Sequence, residues 1–332
     1  MSNPTYSDLH VSTALTDLSV SYANGMRSLY DTMFPVHAVA KQSDKYFTFE
    51  RRDLWRSDAK DRAPGAEVAI GGYTVSTDTY FCERKAIGHD ISDPERANAD
   101  PAVANLDGDA TEYITEQIRL RNEIDWVSNY FTTSVWDGAS STGDMTGQAA
   151  PASTAANFLQ WNDVNSTPIE DLRGEMTAVA QRTAKRPNKL ALGPQVWTVL
   201  ADHPDILDRI KYTERGIVGE DLLASLLGLD QVIVGDMVQD SANEGAASGS
   251  IAFIAGRSAL LAYVAPSPGL KRVSAGYTFA WTGMTGAPTI GARIKRYRLE
   301  RNESDRLEGE TWRDFKVVSS NCGAFFATCV AS

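Results

Sequence analysis

Apolar and polar positions recur along this chain in two rhythms, and the longest helical one sets its frame. Across Asp109–Phe131 the residues Ala110, Tyr113, Leu120, Ile124, Val127 and Phe131 fall on one stripe, broken at Gln117 and widened by Ile114 and Ile118. The run holds no Gly and no Pro. Asp109 stands where an N-cap belongs, and Glu112 follows at the capping-box position. Arg119 with Glu123, and Arg121 with Asp125, are spaced to pair along the outer face. At roughly 1.5 Å per residue the pattern predicts one helix of about 35 Å, long enough to be the backbone of a domain.

The strand-like rhythm appears before and after this helix. Residues 1–44 are weakly patterned: Leu15, Leu18 and Tyr22 suggest a short helix, and Leu29, Met33 and Phe34 an apolar end before Pro35. The rest of that segment is polar and cannot bury enough surface to order itself, which suggests an extended arm. Tyr46, Phe47 and Phe49 begin a strand, and the β-branched, aromatic Tyr73–Phe81 reads as a second. Between them lies the charged stretch ERRDLWRSDAKDRAPGAEV, then Gly71-Gly72. An isolated two-stranded ribbon is marginal in water. A projecting loop stabilised by a neighbouring subunit is therefore favoured over a solvated surface hairpin. Asp93 to Pro101 reads as a polar connector, and residues 137–166, rich in Gly, Ser, Thr and Ala, as a long loop.

Residues 168–274 read as a mixed α/β block. Thr167-Pro168-Ile169-Glu170 has the form of a capping box with Pro at the first helical position, and helical spacing runs through Leu172, Met176 and Val179. Further helices open at Pro194, Pro204 and Gly219-Glu220, the last stopping at Gly228. Short apolar strands are expected at 189–192, 232–234, 251–254 and 260–264. After about 275 the pattern turns to β again, at 277–281, 290–299, 312–319 and 324–330. If the long helix packs on these late strands, the chain contains a discontinuous domain interrupted by the α/β block.

The 332 residues suffice for two or three compact units, and 42% hydrophobic with 23% charged content is ordinary for a folded protein. A formal net charge of -11 argues against a dedicated nucleic-acid binder, though not against a protein that encloses nucleic acid. Three cysteines, Cys82, Cys322 and Cys329, form no CxxC pair and suggest free thiols in a reducing compartment. No apolar run is long enough to span a membrane, and MSNPTYSDLH lacks the features of a signal peptide. The four histidines, His10, His37, His89 and His203, show no metal-ligand spacing. There is no GxSxG elbow, and APGAEVAIGGY has neither phosphate-loop spacing nor ending. The expectation is no enzyme, no catalytic residue, no cofactor and no metal. One charged stretch stands out. Arg293, Lys295, Arg296, Arg298 and Arg301 crowd a short strand, and Glu303, Asp305, Glu308 and Glu310 follow. A solvated strand pair with neutralising charges is the favoured reading. A basic edge meeting an acidic edge of the next subunit, or a phosphate contact, are the sharper ones.

Three stretches carry a resemblance to a known family: RAPGAEVAIGGYTVSTDTYFCERKAIGHDISDPERANAD (62–100), the helix that follows, and VWTVLADHPDILDRIKYTERGIVGEDLLASLLGLDQVIVGD (196–236). In segment order and phrasing the chain resembles the major capsid proteins of tailed bacteriophages, with the Hong Kong 97-type capsid fold. That resemblance implies an α+β fold with an N-terminal arm (1–44) and an extended β-hairpin loop (45–98). It implies a β-sheet peripheral domain (99–167 and 275–332) around a spine helix at 109–131, and an α/β axial domain (168–274). It implies pentamers and hexamers closing into an icosahedral head shell around double-stranded DNA, without sequence-specific binding. Rings of this kind are heterologous, each subunit giving one surface and receiving another. The candidate subunit-interface residues are Arg52, Trp55, Arg56, Lys60 and Arg62 in the extended loop, with Arg296 and Arg298 on the basic strand.

Two departures from the family pattern matter. No long, helical, charged segment precedes the arm, so a separate scaffolding protein is expected alongside a portal, with a cement or decoration protein as a further candidate partner. Lys60, Asn302 and Asn321 lie where some members cross-link, but no local motif fixes such a role. The expected setting is the virion, assembled in a host bacterial cytoplasm, with no membrane. Two alternatives stand: an encapsulin-type nanocompartment shell enclosing cargo enzymes, and, from another class, a soluble hydrolase with α/β and β domains. The hydrolase predicts a pocket with convergent carboxylates.

Overall fold

The computed structural model describes residues 27–49, 57, 59–65, 67–68, 70, 72, 75–99, 106–139, 144–150, 154–210, 218–243, 249–269, 272–283 and 292–331. The expected arm up to residue 26, and Arg52, Trp55 and Arg56, lie outside the described residues.

The apolar end before Pro35 forms helix α1 (Leu29–Met33), followed by strand β1 (Val36–Val39). A ribbon comes next, β2 (Ser43–Phe49) and β3 (Val75–Phe81), then β4 (Glu83–Ser92). The expected polar connector contains a short helix, α2 (Asp93–Asn98), closed by a reciprocal capping box between Ser92 and Glu95. The long helix α3 runs Leu106–Tyr130, starting before the expected N-cap, so that Asp107 and Asp109 both lie in its first turn. Carboxylates there face the positive end of the helix dipole without acting as the cap. Residues 137–166, expected as loop, carry strands β5 (Met145–Gln148) and β6 (Asn157–Leu159).

Helix α4 (Pro168–Thr183) follows, without the expected cap from Thr167. The Ile169 amide instead donates to the Asp205 carboxylate at 3.3 Å, a partner on another helix that sequence spacing could not show. Then come β7 (Lys189–Leu192), α5 (Pro194–Ala201), α6 (Pro204–Ile210), α7 (Glu220–Leu227), β8 (Gln231–Val234), β9 (Val238–Asp240), β10 (Ile251–Phe253) and β11 (Ala259–Ala262). Gly228 ends α7 with φ +72°, a conformation glycine adopts without steric cost. The last strands are β12 (Gly276–Trp281), β13 (Ala292–Leu299), β14 (Ser304–Val317) and β15 (Gly323–Ala327).

Two larger sheets organise these elements. The six-stranded sheet has the order β6-β5-β15-β11-β7-β8. Its strands alternate between two cores, as period-two side chains must. Leu190, Leu192, Val232, Val234, Leu261 and Phe326 face α4–α7, meeting Ile169, Leu172, Met176, Val179, Leu200, Ile206, Leu223 and Leu227. Ala191, Ile233, Leu260 and Phe325 face the other way, toward α1 and Trp126, Val127 and Phe131 at the end of α3. A sheet covered on both faces needs near-continuous apolar strands, which is what KLAL, QVIV, ALLA and GAFFA supply. Burying each such Leu, Ile, Val or Phe contributes about 1.5–3 kcal/mol.

The five-stranded sheet runs β1-β12-β14-β13, with β4 paired along β14 as well. Only the β1–β12 pairing is parallel. Helix α3 lies on this sheet through Ile114 and Ile118, with Ile91 and Leu307 beneath. Gly309 makes the approach possible, because a Cβ there would sit 2.2 Å from Ile114 Cγ2. The long helix thus packs on the late strand β14, as its apolar stripe requires.

Candidate subunit-contact surfaces

The ribbon is fixed at its base and exposed beyond it. β2 and β3 pair antiparallel from Ser43↔Phe81 to Phe49↔Val75. Tyr80 stacks on Phe279 with ring centroids 4.5 Å apart and planes 9° apart, and Tyr46 lies 5.3 Å from the same ring. The Tyr46 hydroxyl donates to Asp78 at 2.9 Å. Burial, and then the bond to Asp78, push that hydroxyl's pKa up, so it stays a donor at any physiological pH. The Phe81 amide donates to the Asp314 carboxylate at 2.9 Å, tying the ribbon to β14. The alternate residues Phe47 and Phe81 point outward and are exposed, as is Val68 in the connecting loop, where Ile70 is 97% exposed. Lys60 and Arg62 are exposed in the same loop. Beyond its fixed base the ribbon thus displays apolar and basic side chains together.

The charged stretch around β13 is largely resolved inside the chain. Arg296 pairs with Asp305 at 2.7 Å and with Asp107 at 3.1 Å. Arg298 pairs with Asp93 at 2.5 Å and with Asp305 at 3.5 Å. Arg96 joins the group through Asp107 at 2.8 Å. These bonds hold the Asp93, Asp107 and Asp305 carboxyls below their usual range. The network fastens α2 and the start of α3 to the end of the β13–β14 hairpin. It fits the neutralised strand pair favoured from sequence. The acids that follow the basic strand in sequence lie opposite it in space, with Arg293↔Glu310, Lys295↔Glu308 and Arg298↔Asp305 in register.

Glu310 is the deepest of these acids, with its side chain 0% exposed. It accepts from Arg293 at 2.7 Å and Lys295 at 2.5 Å, and pairs closely with Arg84. Burial raises its pKa, but the bonds from Lys295 and Arg293 outweigh burial and hold the carboxyl at about 2. A folded pKa below the unfolded value means stability that is present above pH about 4.5 and lost as pH falls through about 2. Glu310→Ala is expected to lower stability by about 1–2 kcal/mol near neutral pH, since its cations reach solvent, and to flatten the acid limb. Urea titrations of both proteins across that pH range check this.

A second exposed ribbon pairs β9 with β10. Ile251 and Phe253, two apart on β10, are both exposed, and Asp240 accepts the Ala242 and Ser250 amides at 2.9 and 2.7 Å. Sequence reasoning took 251–254 as an ordinary strand. The alternation of Ile251 and Phe253 was the available signal, and among the described residues no third strand pairs with this ribbon.

Two polar arrangements among the described residues combine groups of the kinds used in catalysis. Ser166 Oγ lies 3.0 Å from His203 Nε2, and both residues are buried. The Asp205 amide donates to His203 Nδ1 at 3.1 Å, so in the neutral ring Nε2 carries the proton and cannot take one from Ser166. A groove of about 400 Å³ between α3 and β14 contains Glu83, Asp125 and Asp314. Asp125 is engaged by Arg121 and Lys85, and Asp314 by the Phe81 amide and Lys316. Among the described residues no group of three His, Cys, Asp or Glu side chains could hold a metal, and no helix is long and apolar enough to cross a membrane. All three cysteines are buried. Asn302 is exposed on the turn before β14, and Asn321 is half-buried in the turn before β15.

No protein-family model matches the chain. Its sequence is 24% identical over 301 residues to the major capsid protein of Burkholderia phage BcepMu, covering 87% of this chain and 89% of that one. A phage-related protein from Bordetella bronchiseptica RB50 superposes with a TM-score of 0.67 at 20% identity, over 94% of this chain and 96% of that one. The capsid of cyanophage P-SCSP1u gives 0.56 at 10% identity, over 98% and 95%. The SrpI encapsulin of Synechococcus elongatus PCC 7942 gives 0.51 at 12% identity, over 97% of each chain. With its long helix laid on an antiparallel sheet, its helix-covered second sheet and its projecting ribbon, the chain has the Hong Kong 97-type capsid fold.

Proposed function

We propose that this chain is the major capsid protein of a tailed bacteriophage, a structural subunit that assembles with itself into the pentamers and hexamers of an icosahedral head. The observation that carries the reading is the ribbon, anchored through Tyr46 and Tyr80 yet displaying Ile70, Val68 and Phe81 to solvent. The curated relative of almost equal coverage, a phage major capsid protein, supports the same reading. In it, residues 1–44 are the arm and 45–98 the extended loop. Residues 99–167 and 275–332 form the peripheral domain, and 168–274 the axial domain. Arg52, Trp55, Arg56, Lys60 and Arg62 meet a neighbouring subunit, and Arg296 and Arg298 set the shape of the hairpin that meets another. A separate scaffolding protein and a portal complete the head, and the enclosed DNA is held without sequence reading. The product resides in the virion.

The encapsulin likeness favours one second reading, a nanocompartment shell. Contents separate the two. Particles made with the neighbouring genes are treated with nuclease and then opened. DNA of a defined length is the expected result. Particles holding one enzyme and no DNA would overturn the phage reading and leave the shell reading intact.

A further inference from the structure

Helix α1 has only five residues, far below the length at which a helix stands alone in water. Three things hold it. Its side chains Leu29, Tyr30 and Met33, and Phe34 just beyond its end, are all buried. At its far end Lys189 of β7 donates to the Thr32 carbonyl at 2.8 Å. At its near end Ser28 makes no side-chain cap, and Glu123 of α3 takes over. The Leu29 amide donates to Glu123 Oε1 and Oε2 at 3.0 and 3.1 Å, and the Tyr30 amide to Oε2 at 3.3 Å. Glu123 is 1% exposed. Sequence spacing pairs Glu123 with Arg119 on the outer face. The structure turns it inward, and Arg119 lies 3.4 Å from Glu116 instead.

The position of α1 gives this contact reach. The helix sits in the core shared by the two larger sheets, touching α3, β14 through Tyr30 and Phe315, and the turn after β8 through Leu29 and Gly235. It also joins residues 1–28 to the rest of the chain.

We propose that α1 is a proton-linked latch: a neutral Glu123 carboxyl seats it between the two sheets, and ionisation of that carboxyl loosens it. A carboxylate in an apolar core loses most of its hydration, whereas the neutral acid still offers a carbonyl oxygen to the α1 amides. The groups facing it do not offset that loss. Asp31 adds repulsion, Arg119 adds attraction, and Arg313 lies 3.5 Å from Asp31. At the other end Lys189 faces Asp230. Burial is the dominant influence on Glu123 and pushes its pKa up to about 7, against bonds from Leu29 and Tyr30 that lower it. A carboxyl raised in the folded state stabilises that state below its unfolded pKa, and the gain is lost as pH rises through about 7. The latch is therefore tighter in mild acid than in mild base.

Hydrogen exchange of the full chain, read at residues 27–36 and corrected for intrinsic rates, tests this whether or not the protein assembles. Between about pH 6 and about pH 8 protection of the Leu29 and Tyr30 amides is expected to fall about tenfold, with no such fall in Glu123→Gln. A change under about twofold in the parent, or the same fall in both proteins, overturns the latch. Should Glu123→Gln not fold, the Glu123 carboxyl carbon is titrated by NMR in the parent. A midpoint near 7 upholds the inference, and one below about 5 ends it.

Discussion

Replacing residues 50–74 by a short Gly-Ser turn leaves a folded subunit that no longer closes into shells. The ribbon's base is retained, because Tyr46, Tyr80 and Cys82 belong to a core with Phe279 and Trp312 that lies before and after the deleted stretch. Within it Val68, Ile70, Lys60 and Arg62 are all exposed, so their loss removes no described core contact. Thermal stability of the unassembled subunit is expected to move by less than about 1 kcal/mol, the range of ordinary surface changes. Assembly suffers far more. A contact weakened by about 1.4 kcal/mol loses tenfold in association, and every subunit in a shell repeats the same contact. Sedimentation velocity separates the outcomes: slow, discrete species in place of fast shells. Shells at parental yield would show that the ribbon tip is not an assembly element.

The second large effect is internal. Phe34→Ala is expected to cost about 3–5 kcal/mol, a large share of the roughly 5–15 kcal/mol that keeps a folded protein folded. Phe34 is 0% exposed, and its ring lies 5.5 Å from that of Trp126, 5.1 Å from Tyr130 and 6.3 Å from Trp136. Gly276 leaves the space it fills, since a Cβ there would come within 2.4 Å of the Phe34 ring. Removing the ring opens a cavity where α1, α3 and β12 meet. Phe34→Leu, which keeps much of the volume, is expected to lose less than half as much. Urea denaturation of the soluble fraction checks both, and a loss below about 1 kcal/mol for Phe34→Ala would mean that this core closes up around the gap.

What the sequence showed depended on whether the signal was local. Helix α3 and strands β7, β8, β11, β12 and β15 were legible because their apolar spacing matches a single period. β4 was not read as a sheet strand. ERKAIGHDIS has few apolar residues, and its ten-residue pairing with β14 comes from across the chain. The first half of β14 was hidden for a related reason. SDRLEGE looks like a charged turn until Arg293, Lys295 and Arg298 are placed opposite its acids. β5 and β6 lie in a stretch of small residues, and their strand form comes from pairing next to β15. Glu123 was read as a surface partner because helical spacing cannot show that another helix presents amides to it. Of the candidate contact residues, Lys60 and Arg62 lie exposed in the ribbon loop, while Arg296 and Arg298 are engaged within the chain.

The shell reading rests on self-assembly, and electron microscopy of the expressed protein tests that most directly. Samples are prepared alone and with the neighbouring genes. Uniform closed particles in either preparation, or tubes and free rings of five and six, are the predicted result. A discrete dimer or tetramer that stays small with those genes present would contradict it and return the α/β block to consideration as part of a soluble enzyme.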